Sequence, residues 1–259
     1  MSKQSDKADK NTMVKKKRRS KFKFYFLNIL LAVVILGVIF VFCSIFFCRV
    51  TKVSCKGNKI YNDEQIEYMV LSHPYDGNSL AAVGMSIFKP VKSIPFVDSI
   101  KLKLVNAHSI EIIVKEKPLS GFLPYKNNKY IYYNNNGMVN EISDTLIDKT
   151  PLIAGLTLKS TPKLGEILPV DQSKEKTLLY IQKELLKRKI VVSAVVFNAE
   201  GNITLMYQNI TINLGMPTKL SEKITRLPYI LPHLEQMTGT LHLEDWSEEN
   251  TDIVFQKNE

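Results

Sequence analysis

The hydrophobic pattern changes style three times along the chain. Between Phe24 and Cys48 no residue is charged, and among the apolar residues only Asn28, Gly37 and Ser44 interrupt. As a helix, Tyr25–Phe47 reaches roughly 35 Å, enough to cross a hydrocarbon core of about 30 Å with some tilt. A cleaved signal peptide would have a shorter apolar stretch and a small-x-small site. This one ends in Phe46, Phe47, Cys48 and Arg49, and no small residue precedes Cys43 or Cys48 as a lipoprotein signal requires. The pattern predicts an uncleaved anchor at 24–48.

Residues 50–118 alternate between strand and helix periods. Val53 and Cys55 predict a short strand ending at Gly57-Asn58, with Cys55 a buried strand thiol. Asn62 and Gln65 have the spacing of a capping box, and Ile66, Met69 and Val70 supply the apolar face of the helix behind it. A second helix after Asn78 places Leu80, Val83, Gly84, Ile87, Phe88 and Val91 on one face. Ile100, Leu102 and Leu104 alternate with Lys101 and Lys103, and Ile110, Ile112 and Val114 repeat the period on the other side of 106–109, as a half-buried hairpin does. The order is β-α-α-β-β.

From 119 to 256 short strands dominate. Tyr130–Tyr133 and Met138–Ile142 flank Asn134-Asn135-Asn136-Gly137, a turn sequence that tolerates positive φ. A helix from about Ser173 to Lys189 turns Leu178, Ile181, Leu185 and Leu186 inward. Strands follow at Val191–Phe197, Asn202–Tyr207 and Ile210–Leu214. Leu220–Leu234 has helical spacing that Pro228 and Pro232 should break or kink. Thr240–Glu244 and Thr251–Gln256 close the fold as a strand pair, leaving 257–259 as a tail. The fold class is α+β: one membrane helix, a β-α-α-β-β unit, and a β-rich domain with a few helices.

Charge sharpens the topology. The formal charge of +10 suggests nucleic acid until it is divided: residues 1–23 carry ten Lys and Arg against two Asp, leaving +2 for the rest. Lys15, Lys16, Lys17, Arg18, Arg19, Lys21 and Lys23 adjoin the apolar run, which keeps 1–23 cytoplasmic and exports the remainder. The basicity therefore belongs to topology and anionic lipid. Three cysteines, two of them in or beside the span, make no disulfide framework.

Catalytic chemistry finds no pattern. His73, His108, His233 and His242 stand apart, and no Gly-rich phosphate loop or nucleophile elbow occurs. Asp98, Glu111 and Glu116 read as solvent-side charges. Glu244, Asp245, Glu248 and Glu249 form an acidic turn beside Trp246, which is either an interface anchor or packs across the last hairpin. The expectation is a protein that is not an enzyme, with no cofactor and no metal. A terminal strand at a sheet edge offers unpaired N–H and C=O groups to a partner strand. That makes Leu241, Leu243, Glu244, Trp246, Ile253 and Phe255 the candidate partner-binding residues.

Together these pieces resemble the bacterial cell-division family FtsQ/DivIB. The resemblance rests on their colinear order: the basic tail and span, Val53-Ser54-Cys55-Lys56-Gly57-Asn58, Ile94-Pro95-Phe96-Val97, Ile110 to Pro118, Tyr132-Tyr133-Asn134 with Gly137-Met138-Val139, Pro151-Leu152-Ile153, and Leu214-Gly215 before Lys219-Leu220. The chain departs from the family at 106–109, where a proline is usual, at His242–Trp246, and at Pro228 and Pro232. The resemblance implies a POTRA domain at 50–118 and the family's β domain at 119–256. It also implies a non-enzymatic divisome scaffold at the septum of the cytoplasmic (inner) membrane, binding the single-span proteins FtsB/DivIC and FtsL, with further divisome components, and influencing septal peptidoglycan synthesis. No nucleic acid partner is expected. The alternatives are a POTRA-containing protein that handles polypeptides, and an anchored envelope enzyme or sensor.

Overall fold

The computed structural model describes residues 3–89, 92–246 and 253–258. Helix α1 runs Lys3–Phe47, 45 residues. Its apolar part, Phe24–Ser44, is 21 residues long, and none of it is buried within the protein. Among the described residues this is the one helix long and apolar enough to cross a membrane. The basic segment before it continues the helix, because no Gly or Pro interrupts residues 3–23.

Two compact units follow from the contacts: residues 1–92 with 100–114, and residues 93–99 with 115–259. The first holds β1 (Lys52–Lys56), α2 (Asp63–Val70), a 3-10 turn at Pro74–Gly77 and α3 (Ser79–Phe88), and most of β2 (Val97–Asn106) and β3 (Ser109–Glu116). The sheet order is β1-β3-β2, with β1 parallel to β3 and Val53 opposite Ile110. The capping box is formed: Asn62 Oδ1 accepts from Gln65 N at 2.8 Å, and Gln65 Oε1 accepts from Asn62 N at 3.0 Å.

Three readings within this unit change. Cys55 is only half-buried on its strand rather than enclosed, although desolvation, with Asp63 and Glu67 nearby, pushes its thiol up to about 11. Glu111 is covered rather than solvated, because β3 is the central strand and Lys56 reaches over it at 2.5 Å. In α3 it is Ser79 and Ala82 that are buried, and Ser79 Oγ donates to Ala107 O at 2.6 Å. Leu80, Val83 and Gly84 are only half-buried, and Ile87 and Phe88 are 76% and 81% exposed. Small residues let the helix approach the unit closely and leave Ile87 and Phe88 outside; Val91 lies outside the described residues.

The second unit is built on a nine-stranded sheet. Its strands are β4 (Gly121–Tyr125), β5 (Lys129–Tyr133), β6 (Val139–Ser143), β7 (Leu152–Ala154), β8 (Ala194–Phe197), β9 (Ile203–Tyr207), β10 (Ile210–Gly215), β11 (Gly239–His242) and β12 (Val254–Lys257). Their order is β12-β11-β10-β9-β8-β7-β4-β5-β6. Parallel neighbours need long crossovers, and two of these carry helices. Helix α4 (Gln172–Lys187) joins β7 to β8, and α5 (Leu220–Ile230) joins β10 to β11. Ile131, Val195, Leu205, Ile212 and Leu241 of the sheet share one core with Leu178, Ile181 and Leu185 of α4 and Ile224 and Leu227 of α5.

Asp171 caps α4, accepting from Ser173 N and Lys174 N. Leu186 is 76% exposed, not inward, since it lies about 100° around the helix from buried Leu185. Helix α5 continues through Pro228 and gives way at Leu231 to a 3-10 turn, Leu231–Leu234. Pro232 sits in the first turn of that element, where a missing N–H costs little. Pro151 leads straight into β7, which is parallel to both β4 and β8.

Candidate partner-binding strand edge

The two edges of the large sheet differ. At β6, Val139 N donates to Glu166 O and Gly165 N donates to Val139 O, both at 2.8 Å, so a loop covers where that edge begins. At β12 no such covering bond occurs among the described residues. The β11–β12 ladder is antiparallel, pairing Gly239 with Lys257, Thr240 with Gln256, Leu241 with Phe255 and His242 with Val254. Asn258 N donates to Thr238 O at 2.9 Å. In an antiparallel ladder bonded and non-bonded pairs alternate. Val254 and Gln256 therefore turn their backbone groups toward β11, while Phe255 and Lys257 present N–H and C=O outward. Strand β12 runs one residue into the segment read as a tail.

The candidate residues divide by face. Leu241 and Leu243 are fully within the core, and Ile253 and Phe255 pack against it half-buried. Trp246 is 5% exposed, with the Arg226 guanidinium 4.3 Å from its ring centroid, so it packs inside this end of the domain. Glu244 is half-buried and lies beside Gly215, whose φ is +66°; a Cβ on Gly215 would come within 2.7 Å of Glu244 Cβ. Glu248, Glu249 and Thr251 lie outside the described residues. What these side chains do together is fix β11 and β12; what a partner can reach is the outer backbone of β12, with Val254 57% exposed.

Two polar groups here escaped sequence reading. Lys223 is 1% exposed, and its Nζ donates to Leu214 O at 2.7 Å and Glu244 O at 3.0 Å, tying the end of β10 to the segment after β11. Desolvation lowers its pKa, against the opposing pull of Glu244 and Asp245. The signal was its place on the apolar stripe Leu220, Lys223, Ile224, Leu227. On the outer face, His242 Nδ1 meets Glu244 Oε1 at 2.7 Å, and that hydrogen bond raises the imidazole pKa above its ordinary value, helped by Gln256. Among the described residues no group of three or more His, Cys, Asp or Glu could hold a metal ion.

No protein-family model matches the chain. It is similar to the cell division protein DivIB of Lentilactobacillus buchneri (strain NRRL B-30929), 35% identical over 97 residues. That similarity spans 36% of this chain and 36% of the relative. The chain is thus similar to a cell-division protein over about a third of its length, and it carries one apolar helix of membrane-crossing length.

Proposed function

We propose that the protein is a non-enzymatic cell-division scaffold, anchored by one span, that takes a strand from a single-span partner of the FtsB/DivIC kind on its β12 edge. The observation that carries this reading is that no described residue covers the β12 edge of the large sheet, in a chain similar to DivIB over about a third of its length. The Lys- and Arg-rich segment before the span keeps the N-terminus cytoplasmic, so the chain that follows the span lies outside the cytoplasmic membrane, at the septum. Residues 50–118 serve as a POTRA domain, supported by their β-α-α-β-β order, and residues 119–256 as the partner-binding β domain. An FtsL-like protein joins the same assembly, and the complex influences septal peptidoglycan synthesis.

Strand addition suits this edge because the backbone supplies affinity and the flanking side chains supply selection. The full-length protein, co-expressed with its FtsB/DivIC-like partner, should co-purify with it from membranes. A chain lacking 253–259 should lose that partner while the first unit keeps its fold. Undiminished co-purification by the shortened chain would sink the edge assignment, and diffuse envelope localisation in dividing cells would count against the division role.

A further inference from the structure

Helix α3 contains no charged residue; along its apolar stripe Leu80, Val83 and Gly84 are half-buried, and Ile87 and Phe88 are exposed. Water is a poor neighbour for such a stripe. Its position relative to α1 indicates what replaces water. Asn78, the cap of α3, donates from Nδ2 to Ser44 O at 2.7 Å, and Ser79 N donates to Cys48 O at 2.8 Å. Ser44 is the last residue of the apolar span, so α3 begins where that span ends.

A groove of about 630 Å³ joins the two helices, with Phe40, Val41 and Ser44 of α1 among its lining together with Tyr75, Leu80 and Ala81; Arg49 also lines it. Phe40 lies about 6 Å along the axis before Ser44, within the segment that must sit in hydrocarbon. A groove with one wall at that depth opens to lipid. Exposed Lys89 and Lys92 follow the helix, placed for phosphate headgroups.

We propose that α3 is an interfacial helix: its Leu80–Phe88 face lies in the leaflet at the C-terminal end of the protein's own span, and phospholipid acyl chains occupy the groove between them. A short helix in this attitude buries its apolar face at the boundary between headgroups and acyl chains. The span then does not hold the first unit on a loose tether. Span and α3 together fix its distance from the membrane and its tilt.

The test uses the full chain in phosphatidylglycerol-containing vesicles, with Trp246→Phe removing the native tryptophan and Phe88→Trp or Ile87→Trp supplying a probe. Resistance to alkaline carbonate extraction checks the span separately. The expected result is blue-shifted emission, reduced roughly twofold or more by phospholipids brominated near the top of the acyl chain. Emission like that of tryptophan in water overturns the proposal. So does blue-shifted emission that bromolipid leaves intact, which would mean that protein, a second copy included, covers the face. A chain that carbonate extracts would overturn the reading of the span and this proposal with it.

Discussion

Lys223 is a cation enclosed by carbonyls rather than by an acid, and its worth lies in what its removal would leave behind. Lys223→Ala strips Leu214 O and Glu244 O of a shared donor and opens space beneath β10. A loss of about 2–4 kcal/mol is expected in denaturant unfolding of the second unit. His242 acts in the opposite sense to a buried acid. Its pKa in the folded protein is raised, so its contribution is complete below the unfolded value near 6.5 and disappears as pH rises through the higher folded value. Melting temperatures of the wild type and His242→Gln should therefore differ most below about pH 6 and converge as pH rises through the raised folded value; a gap that widens with pH would contradict the His242–Glu244 pairing. Neither role follows from residue type alone. Lys223 was recoverable from its place on the apolar stripe of α5, whereas the meeting of His242 with Glu244 depends on how the chain leaves β11.

At the scale of elements, period was legible and facing was not. Ile110, Ile112 and Val114 of β3 and Ile210, Ile212 and Leu214 of β10 are buried as their pattern predicts, whereas on β2, which alternates with lysines, Ile100 and Leu102 are half-buried and Leu104 is exposed. The stripe on α3 is equally periodic, yet none of it is fully buried and Ile87 and Phe88 are exposed, because periodicity identifies a face without saying what it meets. Strand β7 is three residues long and follows a proline, too short to carry a period, yet it lies in the middle of the sheet. The terminal edge was legible as a strand pair; that Leu241, Leu243 and Trp246 hold it from inside was not, since one face of each strand must always be core. Two substitutions separate the edge from its support. Lys257→Pro removes an outward N–H without touching the ladder to β11, and should weaken partner binding with little change in melting temperature. Gly239→Ala acts from within: a Cβ there would lie 2.3 Å from Gln256 O and 2.7 Å from the Phe255 ring. It should displace β12, cost about 1–3 kcal/mol, and speed hydrogen exchange at residues 253–258.

On the scale of the whole molecule, the division between units does not fall at Pro118, where the sequence changes style. Residues 93–99 and 115–118 belong to the second unit, and Phe96 shows why. Its φ is +62°, a conformation disfavoured for an aromatic residue, and it is 0% exposed. The ring meets Tyr132 edge-on with centroids 5.0 Å apart. Its N–H donates to Glu141 Oε2 at 3.1 Å, its carbonyl accepts from Lys117 N at 2.8 Å, and Lys117 Nζ meets Glu141 Oε2 at 2.7 Å. The strained backbone is held by two hydrogen bonds to residues far along the sequence, which are themselves joined by an ion pair, so the segment before β2 is an integral part of the larger sheet's core. A fragment starting at residue 119 exposes Tyr132 and leaves Glu141 without its cation and its N–H donor. Compared with a fragment starting at residue 93, it should be less stable by about 3 kcal/mol or more in urea unfolding. Equal midpoints for the two fragments would mean that 93–99 merely lies against the second unit, and that Pro118 is the boundary after all.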